Sequence, residues 1–184
     1  MKTVDRPLVL LWAVGGVLIL IIEAVWRLAP MAFEALSDGL TTGQGLLFVT
    51  VLVFMLYSEG YRGFQKMFSP RVVARALILS RSGSFIHILF APLIVSGLFV
   101  ATRRRLVIAR TLVTAIVILV IAVRTLDQPW RGIVDGGVVA GLAYGIITLL
   151  VFTTRAFIGK IPTVDPEFPS GMSWTRDVES LNTP

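Results

Sequence analysis

Apolar runs long enough to cross a bilayer alternate with short polar breaks along most of this chain. From Leu8 the run stays apolar to Ile22 and continues with few interruptions to Leu28. That is about 21 residues, or roughly 31 Å of helix, against a hydrocarbon core of ~30 Å. Similar runs predict helices near residues 46–62, 106–124 and 132–154, and a fifth apolar segment covers 85–102. The pattern predicts an all-α integral membrane protein, a small bundle of four transmembrane helices plus a re-entrant or Pro-kinked fifth segment. Residues 1–160 form one membrane-embedded unit, and 161–184 form a polar, disordered tail with Pro162, Pro166, Pro169 and Pro184.

The positive charges orient these helices. Cytoplasmic loops carry the excess of Lys and Arg. A basic amino terminus, an acidic loop containing Glu34 and Asp38, and Arg155 and Lys160 after the last span place both termini in the cytoplasm. The second span then ends cytoplasmically at Arg62 and Lys66, where Glu59 and Arg62 are placed to pair across one helical turn. The segment 85–102 strains this scheme, because Arg71, Arg75 and Arg81 precede it and Arg103, Arg104 and Arg105 follow it. If it spans, one cluster lies on the wrong side. If it turns back near Ala91-Pro92, both stay cytoplasmic, and protein must cover its broken backbone.

Local signals refine the elements. Ser69-Pro70 reads as a helix start. The helix it opens has Arg71, Arg75 and Arg81 to one side and Val72, Val73, Ala76, Leu77 and Leu79 around the rest. That pattern suits a helix lying among headgroups, or one packed on the cytoplasmic end of the bundle. In the last span Gly137, Gly141 and Gly145 recur every four residues, repeating the spacing of Gly132 and Gly136. Such a stripe lets helix backbones approach closely.

Composition excludes several functions. With 55% hydrophobic and 15% charged residues the chain is too apolar for a soluble domain. It has no cysteine and a single histidine, His87, which removes thiol chemistry and His-based metal sites. No catalytic or nucleotide-binding motif occurs, and neither a cofactor nor enzymatic activity is expected. The net charge of +6 flanks apolar spans, which points to anionic lipid headgroups rather than nucleic acid. Arg62, Lys66, Arg71, Arg75, Arg81 and Arg103 to Arg105 are the candidate headgroup contacts.

Two further features are candidates for function. Glu23, Arg27, Arg124, Asp127, Arg131 and Asp135 are expected together at the outer ends of the spans, as a charge lock or the mouth of a solute path. His87 is either a proton-titrating group in the membrane or a neutral ring bonded to a carbonyl freed by Pro92. The expected function is a small, non-enzymatic scaffold or accessory subunit of a bacterial inner-membrane complex, associating with other subunits or with itself. The alternative is a small transporter or channel using the re-entrant segment and the outer charges.

Overall fold

The computed structural model describes residues 4–82, 84–97 and 103–166. All of its regular elements are helical: α1 (Pro7–Ser37), α2 (Thr42–Met55), a π-helical segment (Leu56–Phe68), α3 (Ser69–Ser82), α4 (Phe85–Leu89), α5 (Ala91–Val95), α6 (Arg103–Arg124) and α7 (Trp130–Phe157). Among the described residues, three helices are long and apolar enough to cross a membrane: 7–37, 42–81 and 130–157. The described residues therefore form an all-α bundle of the multi-pass membrane type, in which three such helices are found rather than the expected four plus a re-entrant or kinked fifth.

Two of the three run further than expected. Pro30 does not end α1, which continues to Ser37 and shrinks the anticipated acidic loop to a few residues. A capping box closes the turn into α2: Thr41 Oγ1 accepts from the Gln44 amide, and Gln44 Oε1 accepts from the Thr41 amide at 2.9 Å. The second helix does not stop near residue 62. It passes through Ser69-Pro70 and runs on to Ser82, because the stretch before the proline is wound as a π-helix. In this wider winding the Ser69 amide reaches back five residues to the Phe64 carbonyl. Pro70 lacks an amide and clashes with the preceding turn of an α-helix, so a wider turn at this point accommodates it.

The core lies where α3 meets the first half of α1. Leu10, Ala13, Val14 and Val17 of α1 pack with Val72, Val73, Ala76, Leu77, Ile78 and Leu79 of α3, with Ala91, Ile94 and Val95 of α5, and with Leu149 and Ala156 of α7. Helix α3 is thus the buried centre of this end of the bundle, not a helix lying among headgroups. Its apolar residues occupy most of its circumference, so neighbours enclose it on several sides. At its far end Arg81 meets Asp5 at 3.3 Å.

The contested segment forms two five-residue helices broken at Phe90. Each is about 8 Å long, so neither crosses a bilayer. The break is covered by protein: the Trp12 indole donates to the Ile88 carbonyl at 3.0 Å, and Pro92 sits over Gly16, where an added Cβ would lie 2.4 Å from its Cγ. Residues 98–102 lie outside the described part.

Helix α6 contrasts with the rest. Its apolar side chains Val113, Ile116, Val117, Ile118, Leu119, Val120 and Ile121 are all exposed, and its main contacts are to α7. The described apolar stretch, Val113–Arg124, is shorter than a span.

The chain beyond α7 does not trail away at once. Gly159, at φ +82°, reverses the backbone; its amide reaches the Ala156 carbonyl, and the Lys160 amide reaches that of Arg155. This is a Schellman-type cap, which needs a left-handed residue. Ile161 then packs on the core, and Pro166 is buried. Residues 167–184 lie outside the described part.

Candidate functional site

Helix α7 organises the polar groups of the bundle, because its glycines admit two neighbours on two faces. Gly132 and Gly136 meet α1: a Cβ at Gly132 would lie 2.3 Å from Ala35 Cβ and 2.5 Å from the Met31 carbonyl oxygen. Gly137, Gly141 and Gly145 meet the second long helix at Val51, Glu59 and the ring of Phe64. The interlock is mutual, for Gly60 of the π-helical segment receives the ring of Tyr144.

A polar seam follows this second contact. Glu59 lies against Gly141, and a Cβ there would stand 3.2 Å from Glu59 Cβ and 3.4 Å from its Oε2. Further along, the Tyr144 hydroxyl donates to Gln65 Oε1, and the buried hydroxyls of Ser69 and Thr148 are 3.0 Å apart. Thr148 also donates to the Gly145 carbonyl. Glu59 has no ion-pair or hydrogen-bond partner among the described residues. The anticipated Glu59–Arg62 pair is absent, and the winding explains it. With hydrogen bonds closing over five residues, neighbours fall four or five positions apart rather than three. Tyr57 stacks on Tyr61, Phe64 meets Phe68 edge-on, and the Lys66 ammonium sits 5.2 Å from the centre of the Tyr61 ring.

The expected outer cluster divides in two. Arg131 and Asp135 pair at 3.6 Å one helical turn apart on α7, with Arg124 close enough to attract the same carboxylate. Asp135 is 4% exposed, beside Gly136 in the contact with α1 and α2. Asp127 contributes its backbone carbonyl, which accepts from the Arg131 amide. Glu23 and Arg27 instead pair with each other on the exposed face of α1. They are not at the depth of Asp135. Ala32 is the α1 residue beside Gly136, and Glu23 lies about 14 Å along the helix from it. The reason is the continuation of α1 past Pro30, which carries the outer turn away from this pair.

Gln128 was not singled out by its sequence, yet it ties α1 to the start of α7. Its amide nitrogen donates to the Met31 carbonyl and to Glu34 Oε2, and its oxygen accepts from the Gly132 amide. A pocket of about 160 Å³ opens beside it, lined by Ala35, Asp38, Gly39, Gln44 and Pro129. A glutamine in a short turn carries no sequence signal for such a role.

The basic residues serve different purposes. Arg62 and Lys66 are exposed, and Arg71 donates to the Met67 carbonyl. Arg75 is 3% exposed and so is not available to headgroups. It donates from Nε to the Pro166 carbonyl at 2.7 Å and from Nη1 to the Val95 carbonyl at 3.2 Å. The side chains of Arg103, Arg104 and Arg105 lie outside the described part. His87 faces Ser84, with Nδ1 2.7 Å from its hydroxyl near the start of α4.

Among the described residues no group of three His, Cys, Asp or Glu side chains is placed to hold a metal ion. No protein-family profile matches the sequence, and no curated protein or solved structure shows detectable similarity to it. The functional reading therefore rests on the residues themselves.

Proposed function

We propose that this protein is a small accessory or scaffold subunit of a membrane complex, and that α6 is the helix it offers to a partner subunit. One observation carries the reading: α6 is a 22-residue helix that stands off its own bundle, touching mainly α7, while the other long helices interlock. Helices in lipid associate by close packing rather than by hydrophobicity, so a helix without the glycines that let α7 approach its neighbours is free to pack elsewhere. The Glu23–Arg27 pair, exposed on α1 well inside its length, supports the same reading. Charges at such a position are costly against lipid and cheaper against protein.

The test places a photo-crosslinking residue at Ile118 in the native membrane. A discrete protein adduct is expected there. Lipid adducts alone at Ile118 count against the proposal. The exposed basic residues Arg62 and Lys66 also suit anionic lipid headgroups, and native mass spectrometry at two salt concentrations measures that association.

A second reading, a small transporter or channel, is favoured by Glu59 alone. A carboxyl group within a long apolar helix is a starting point for an ion or proton path, and the Gln65, Tyr144, Ser69 and Thr148 side chains extend from it along α7. Purified protein in liposomes distinguishes the readings. Flux that disappears in Glu59→Gln while the fold is retained replaces the accessory reading with this one.

A further inference from the structure

A buried guanidinium needs partners, because removing a charge from water costs several kcal/mol unless it is hydrogen-bonded. Arg75 divides such bonds between two segments that are remote in sequence. Its Nε–H points to Pro166, at the end of the C-terminal segment that folds back from Gly159. Its Nη1–H points to Val95, the last residue of α5. Gly97 presses on the same group from the side: at φ +77° it takes the left-handed conformation, and a Cβ there would lie 2.2 Å from Nη1. The guanidinium thus fills the seam between the C-terminal segment and the broken α4–α5 segment.

We propose that Arg75 is the latch of a two-part gate: it couples the C-terminal segment 158–166 to the α4–α5 segment, each of which also packs on the bundle, so that the two open together. The coupling has a physical cause. If the C-terminal segment leaves, water reaches Nε and competes for the rest of the guanidinium, so the bond to Val95 weakens as well. If α5 withdraws, Nη1 loses its carbonyl partner and the side chain is free to turn from Pro166. What closes around the latch is also shared, since Ile161 from one segment and Ala91, Ile94 and Val95 from the other pack on the same cluster around α3. A partner that draws the C-terminal segment aside therefore also loosens the segment seated on Gly16. This goes beyond the accessory-subunit reading and does not depend on it.

The absence of cysteine permits a direct test on the full chain. Single cysteines replace Val95, Ile161 and, as a control within the α1–α3 core, Val17. Their reaction rates with a water-soluble maleimide are measured with Arg75 intact and in Arg75→Lys. A lysine ammonium lacks the planar fork that serves both carbonyls at once. The expected result is that the Val95 and Ile161 sites speed up together, by about tenfold or more, while the Val17 site stays protected. A second variant, Gly97→Ala, displaces the guanidinium without changing its charge and is expected to give the same paired change. A rise at one site alone means that the segments are not one gate. A matching rise at Val17 means that Arg75 only holds the fold together. No change at either site in both variants removes the latch. Each of these three outcomes overturns the proposal.

Discussion

Helices α6 and α7 are neighbours in sequence and both are strongly apolar, yet one stands apart and the other is the axis of the bundle. Between Leu106 and Val123 the first has no glycine; apart from Arg110 its residues are Val, Ile, Leu, Ala and Thr. The second places Gly132, Gly136, Gly137, Gly141 and Gly145 against two different helices. In water, apolar area would drive both into a core. In lipid it gives no such preference, and close approach of backbones decides which helices join. Both are apolar, and the glycines separate the packed one from the one that stands apart.

The largest effect is expected where an added side chain meets groups that have little freedom to move. Gly132→Leu drives a branched side chain into the Met31 carbonyl and Ala35 Cβ, and overpacking of this kind costs about 1–3 kcal/mol. Thermal unfolding in mild detergent measures it. A midpoint equal to the parent's breaks the comparison, for it means that α7 does not depend on close approach to α1.

Next in size is the ion pair at the same end. Asp135→Asn leaves Arg131 without its carboxylate in a partly buried setting. Because Arg131 retains some contact with solvent, the loss is expected to be about 1–2 kcal/mol rather than that of a fully buried pair. Denaturant unfolding tests this. A stable Asp135→Asn protein means that the charge is not what holds the outer end.

A smaller change is expected from Ser69→Ala. It removes one side of the buried Ser69–Thr148 contact while Thr148 keeps its bond to the Gly145 carbonyl, so about 0.5–1.5 kcal/mol is at stake. A double-mutant cycle with Thr148→Val sharpens the comparison by isolating the pair. A coupling energy of zero means that the seam between α3 and α7 is held by shape alone.

The smallest effect belongs to α6. Ile118→Ala and Leu119→Ala remove exposed apolar groups and are expected to change the stability of the isolated protein by less than about 0.5 kcal/mol. Losses of the size seen for core residues would show α6 packed against the bundle or a second copy in detergent, which concentration dependence distinguishes.

The all-helical architecture, three of the apolar helices and the glycine spacing on α7 were all legible in the residues themselves. Hydropathy reports how long a segment stays apolar, and glycine periodicity reports where a helix has a bare face; both are local properties. Hydropathy does not report how a helix ends. Pro30 and Ser69-Pro70 read as boundaries, but the chain runs through both. The turn before Pro70 widens, and this change of winding separates Glu59 from Arg62 and sets the carboxylate against Gly141. Equally invisible was the fate of the basic stretch. Arg71, Arg75 and Arg81 resemble one another in sequence, while packing gives Arg71 a carbonyl in its own helix, Arg75 two carbonyls from distant segments, and Arg81 a partner in Asp5. Charge and spacing are fixed by the sequence. What a buried cation faces depends on which remote backbone arrives beside it, and only the tertiary structure decides that.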